Sequence, residues 1–90
     1  TVVSLQPGKM GEVSKFLDAQ SGAVTELDGM IGFAVAVTGE DEITLIGLYE
    51  SSQNARDASD TVQTIFADMA PFVASPPERS VYSGAWFPAK

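Results

Sequence analysis

Apolar and polar positions recur along this chain with two different periods, and the places where the period switches mark the elements. Residues 1–6, "TVVSLQ", are rich in β-branched side chains and predict a first strand. Pro7 and Gly8 end it and open a helix, with Pro suited to a first helical position. From there Met10, Val13, Phe16, Leu17, Val24 and Leu27 form an amphipathic stripe, and Gly22 inside it predicts a bend or two helical pieces. Asp28-Gly29 is a stop signal, with Gly29 free to take a left-handed conformation.

The period then changes to two. "MIGFAVAVTG", residues 30–39, sets Ile31, Phe33, Val35 and Val37 on one face against Met30, Gly32, Ala34 and Ala36 on the other. "GEDE" is a short acidic turn, and "ITLIGLYES", residues 43–51, returns as the hairpin partner. Asn54, with Asp57 three residues on, resembles a capping box at the start of a second helix. Ala55, Ala58, Val62, Ile65, Phe66 and Met69 supply the cleanest helical stripe of the chain, and Pro71 ends it. "APFVASPP" reads as one more turn and an exit loop, and "RSVYSGAWF", residues 79–87, as the last strand.

The order is β-α-β-β-α-β, a ferredoxin-like α+β arrangement with a four-stranded antiparallel sheet and both helices on one face, in one domain spanning residues 1–90. Two helices cover one face of such a sheet. Yet residues 43–51 are apolar on both: Ile43, Leu45, Gly47 and Tyr49 on one side, Thr44, Ile46, Leu48 and Glu50 on the other. A large exposed apolar patch is unusual for a soluble monomer, so the pattern predicts a homodimer joined through the open sheet face. The alternative is a face of small residues that tolerates water.

Composition narrows the partners. Twelve acidic residues against five basic ones give a net charge of −7, which argues against nucleic acid and anionic membrane surfaces. Cysteine and histidine are both absent, which removes disulfides, thiol nucleophiles, the commonest general base and the commonest metal ligand. No apolar run approaches the roughly 20 residues that cross a bilayer, and no signal peptide is evident, so a cytoplasmic protein is expected. The start at Thr1, without Met, fits processing, trimming or excision from a longer protein equally well.

Four stretches carry a resemblance: "QPGK", "LDGMIGFAVAV", "GLYESSQNA" and "APFVASPPERSVYSG". Together they resemble the dimeric α+β barrel proteins of the antibiotic biosynthesis monooxygenase-like group, over almost the whole chain. Asp28 stands where that group commonly has Pro, and Tyr49 stands for the Trp of its usual Trp-Glu-Ser joint. The resemblance implies a dimeric barrel. For activity it implies a range, since the group holds quinone-forming oxygenases, haem degraders and members of unknown role. Its cofactor-independent oxygenases carry an Asn four residues before the aromatic of the joint; here that position is Leu45. Its haem-degrading branch relies on a histidine, and this chain has none.

Candidate site residues follow from side-chain chemistry. Tyr49, Tyr82 and Trp86 can line a pocket between sheet and helices and hold a planar ligand, or serve as core or interface aromatics. Arg79 can meet an anionic group of a ligand, meet an acid across a dimer, or lie solvated at the surface. Asn54 can hydrogen-bond a ligand at the joint between strand and helix, or cap the helix. Glu40, Asp41 and Glu42 lack the oxygen-ligand spacing of a cation site, so no metal is expected, and no cofactor. Glu12 and Glu50 read as surface groups. Two functions remain in play. One is a dimeric barrel binding a small aromatic or apolar molecule, in the extreme a monooxygenase without metal or flavin. The other is a non-catalytic dimerisation or regulatory module.

Overall fold

The computed structural model describes residues 1–87; Pro88, Ala89 and Lys90, part of the 1–90 span expected of the domain, lie outside the described residues. The elements run β1 (Val2–Ser4), α1 (Met10–Thr25), β2 (Met30–Gly39), β3 (Glu42–Tyr49), α2 (Ser52–Asp57) and α3 (Ser59–Asp68), then a short 3-10 turn at Ala70–Phe72. The sheet is antiparallel with strand order β1-β3-β2. Both helical stripes pack on one of its faces. Val3, Leu5, Ile43 and Leu45 from the sheet meet Val13 and Val24 from α1 and Ile65, Phe66 and Met69 from the second helical region, forming one buried cluster. Phe16 and Phe72 close its end with ring centroids 6.0 Å apart. The architecture is the ferredoxin-like α+β fold that the periodicity predicts.

Several local expectations change. Pro7 does not begin α1: Gln6 to Lys9 form a turn closed by the Lys9 amide donating to the Gln6 carbonyl (3.2 Å), with Gly8 at φ +80°. Pro followed by a left-handed Gly suits such a turn, and the helix starts only afterwards, at Met10. Gly22 does not break α1, which runs through it as one 16-residue helix. Flanking residues keep the helical hydrogen bonds, among them the Glu26 amide donating to the Gly22 carbonyl (3.2 Å). Gly29, at φ +72°, sits in a second turn of the Gln6–Lys9 kind, Leu27 to Met30.

The second helix starts earlier than expected. Ser51 is its N-cap: its Oγ accepts from the Asn54 amide (3.1 Å) and donates to Asn54 Oδ1 (2.7 Å). The capping pair is therefore Ser51 with Asn54, not Asn54 with Asp57. The helical region also divides at Ala58 into α2 and α3.

The largest correction concerns the last strand. Residues 79–87 form no strand; the chain that lies beside β1 is the stretch just before them, expected to be an exit loop. Gln6 donates to Phe72 (2.9 Å), Ala74 to Ser4 (2.8 Å), and Val2 and Glu78 exchange amide bonds (3.1 and 3.2 Å). Glu78 already stands opposite Val2, so residues 79–87 extend past the end of β1. The fourth position of the sheet is filled, but one segment early.

Candidate functional site

The same geometry leaves β3 half covered. Antiparallel strands turn alternate residues toward each neighbour. Val3 pairs Ile43, and Thr1 and Leu45 exchange backbone bonds of 2.7 and 2.8 Å. Gly47 and Tyr49, next in that alternation, face beyond the end of β1. Around this free edge lies a cavity of about 590 Å³. Its floor is the helix-facing side of β3 from Leu45 to Tyr49, and it opens round the strand edge to Thr44, Ile46, Leu48 and Glu50; its roof is α1 at Leu17, Gln20 and Val24 with α3 at Val62, Ile65 and Phe66, and its outer wall is residues 79–86.

Two hydrogen-bonding groups hold the outer wall in place. The partly buried Arg79 guanidinium donates from Nη1 to Ser59 Oγ (2.9 Å) and from Nη2 to the Ala55 carbonyl (2.6 Å), pinning the chain to the α2–α3 junction. Ser83 and Ser52 hydroxyls lie 3.2 Å apart and fix the wall again at the start of α2. The Thr1 amino group, beside Leu45, has its pKa lowered by burial and by the nearby positive charge of Arg79.

Four of the five residues singled out in the sequence line this one cavity. Tyr49 does so from the floor. A Cβ placed on Gly47 would lie 3.0 Å from Tyr49 Cε2, so the ring folds back along the strand over the one residue without a side chain. Its hydroxyl has no hydrogen-bond partner among the described residues. Arg79, Tyr82 and Trp86 line the outer wall, with Tyr82 83% and Trp86 46% exposed. Asn54 is outside the lining. Its amide is taken up by Ser51 and lies against the backbone of Gly29, where a Cβ would come within 2.4 Å of it.

Sequence reasoning passed over the helical wall, because Leu17, Val24, Val62, Ile65 and Phe66 read simply as core. One signal was present: Gln20 falls three residues after Leu17 and four before Val24, a polar position on the apolar stripe. Leu45, which the resemblance sets at the place of the oxygenases' Asn, is 6% exposed and lines the cavity. Among the described residues no three acidic side chains come together as a metal site would need. No helix among them is long and apolar enough to cross a membrane.

No protein-family model matches the chain, and no curated protein matches it in sequence. Solved structures do. The NE2512 protein of Nitrosomonas europaea, of unknown function, superposes with a TM-score of 0.75 at 18% identity, over 99% of this chain and 90% of that one. A protein of Chloroflexus aurantiacus J-10-fl, named for the antibiotic biosynthesis monooxygenases, superposes with a TM-score of 0.66 at 18% identity, over 96% and 91%. This chain has their fold. The likeness agrees with the family resemblance read from "GLYESSQNA" and its companions, and at this identity it speaks for architecture alone.

Proposed function

We propose that this protein binds a small apolar or aromatic molecule in the cavity around the free edge of β3, and that it does so as a homodimer. The carrying observation is the cavity itself. At about 590 Å³ it falls within the roughly 300–1,000 Å³ typical of small-molecule sites, and its wall sets apolar side chains of β3 and the helices beside polar ones such as Gln20, Ser52, Arg79 and Ser83. The test is titration with phenylnaphthylamine, a neutral two-ring probe. Saturable binding at one site per chain, with energy transfer from Trp86, is expected. Absence of saturable binding would overturn this reading.

The homodimer rests on the second face of the sheet. Val2, Ile46 and Leu48, on the side away from the helices, are 45%, 45% and 40% exposed. Ala34 and Ala36 stand opposite Ile46 and Thr44 and extend the same face. Sedimentation equilibrium at micromolar concentration is expected to return twice the 9.5 kDa chain mass. A clean monomer would remove this part of the proposal.

As an enzyme the protein would be a monooxygenase-like oxidoreductase without metal or flavin, the substrate itself supplying electrons. The wall favours binding over turnover. Leu45 presents only carbon where the oxygenases that the chain resembles carry an Asn, and the one carboxylate of the lining, Glu50, is exposed just past the end of β3. The same observation supports the second reading, a non-catalytic dimerisation or regulatory module. Oxygen uptake with an electron-rich phenol as substrate separates the two.

A further inference from the structure

Two cationic groups, the Thr1 amine and an Arg79 guanidinium that meets no carboxylate among the described residues, line the cavity. Arg79 lines it, is partly withdrawn from water, and has no carboxylate within salt-bridge distance among the described residues, where the one ion pair is Lys9 with Glu12 at 3.4 Å. This is unexpected in a chain with twelve acids to five bases, where a cation can easily find a partner. Two of the five guanidinium N–H groups are used, on Ser59 and the Ala55 carbonyl. Both partners are uncharged, so they orient the group without neutralising it.

Charge is distributed unevenly along the cavity. Arg79 is close enough to Thr1, which bonds Leu45 in the middle of β3, to add to burial in lowering the pKa of its amine. Glu50 ends the cavity on the opposite side of Tyr49, exposed to water, which screens its charge. Phe33, Leu45, Val62 and Phe66 supply apolar lining of the same cavity.

We propose that the ligand of this cavity is an apolar or aromatic molecule carrying one anionic group, a carboxylate, sulfonate or phosphate, with Arg79 as its counter-ion. The inference rests on the binding reading above and adds the ligand's charge and its orientation. The anionic end lies at Arg79 and the apolar body runs between β3 and the helices. Arg79 already holds two bonds, so its remaining N–H groups meet the anion without first being ordered.

The test compares two probes that share their ring systems: neutral phenylnaphthylamine, and anilinonaphthalene sulfonate, which adds one negative charge. The quantity read is the ratio of their affinities, which cancels any damage common to both. The sulfonate is expected to bind more tightly, with an advantage of roughly tenfold or more, the scale of a charge-assisted hydrogen bond in a partly dry site. Arg79→Gln abolishes that advantage, and Arg79→Lys, which keeps the charge, retains most of it. Ser83→Ala loosens the same wall without touching charge and leaves the ratio unchanged.

Salt provides a measurement that needs no variant. Raising the ionic strength to about 1 M shrinks the sulfonate's advantage and spares the neutral probe. An equal affinity for the two probes, a ratio unmoved by both Arg79→Gln and salt, or a Ser83→Ala variant that loses the ratio as Arg79→Gln does would each overturn the anion proposal while leaving a binding cavity. Failure of both probes to bind would overturn the cavity reading along with it.

Discussion

The two halves of β3 have similar compositions and different fates. Ile43 and Leu45, in its first half, lie in the core at 1% and 6% exposure, with β1 on one edge and β2 on the other. Ile46 and Leu48, in its second half, are 45% and 40% exposed, and the edge there faces a cavity instead of a strand. Hydrophobicity does not separate them. The separation comes from the length of β1, whose Val2 stands opposite Thr44 with only Thr1 beyond it at Leu45, and from the period of two, which sends alternate side chains away from the helices. An apolar residue on such a strand is core, interface or binding wall according to what its neighbours reach.

Four substitutions test that contrast. Ile43→Ala, in the covered half, should cost about 2–5 kcal/mol, as for other large-to-small core changes, read as a lower urea midpoint with the slope unchanged. Gly29→Ala should cost about 1–2 kcal/mol for the left-handed backbone alone, with an added loss as Asn54 is pushed away. Gly29 matters to β3 because its carbonyl accepts from the Glu50 amide at 2.7 Å, holding the end of the strand. If Gly29→Ala unfolds at the wild-type midpoint, the turn does not hold that end.

Gly47→Ala should change stability by less than about 1 kcal/mol, because the group it meets, 3.0 Å away, is the movable ring of Tyr49. Its effect belongs in binding: the displaced ring enters the cavity and weakens phenylnaphthylamine several-fold. Unchanged binding would remove Tyr49 from the site. Ile46→Asp should convert the dimer to monomer and unfold at the midpoint of the wild-type chain diluted until it too is monomeric, because an exposed position adds little beyond the lost association. A variant that stays dimeric would place the interface elsewhere.

The helices were the most legible part of the chain. All six residues of the second stripe, from Ala55 to Met69, lie in or against the core, as do Met10, Val13, Phe16, Leu17 and Val24 of the first. A helical stripe is a local property, set by spacing within a few turns, and the core only has to accept it. The hairpin was equally plain, since β2 and β3 are joined by two acidic residues, Glu40 and Asp41, and pair with each other before anything distant intervenes.

The last strand was misplaced because pairing is not local. Val81, Ser83, Ala85 and Phe87 alternate with Tyr82, Gly84 and Trp86 as a strand would, but Phe72 to Glu78 leave the 3-10 turn already beside β1 and occupy its edge first. The site was legible in part for the same reason. Tyr49, Arg79, Tyr82 and Trp86 were chosen for their chemistry, and the fold brings them to one cavity. Asn54 was chosen in the same way, and its cap with Ser51 and contact with Gly29 keep it apart.

What the sequence determined by itself was everything that short-range spacing can encode. That covers two amphipathic helical stripes, an apolar hairpin with two usable faces, and an acidic composition without histidine or cysteine. Only the tertiary structure decided which stretch closes the edge of β1, where β3 is left open, and that Arg79 faces the resulting cavity with no carboxylate of the described residues beside it. The physical reason is that a strand edge and a guanidinium both acquire their roles from partners distant in sequence. Arg79, for example, is 24 residues from the Ala55 carbonyl that orients it.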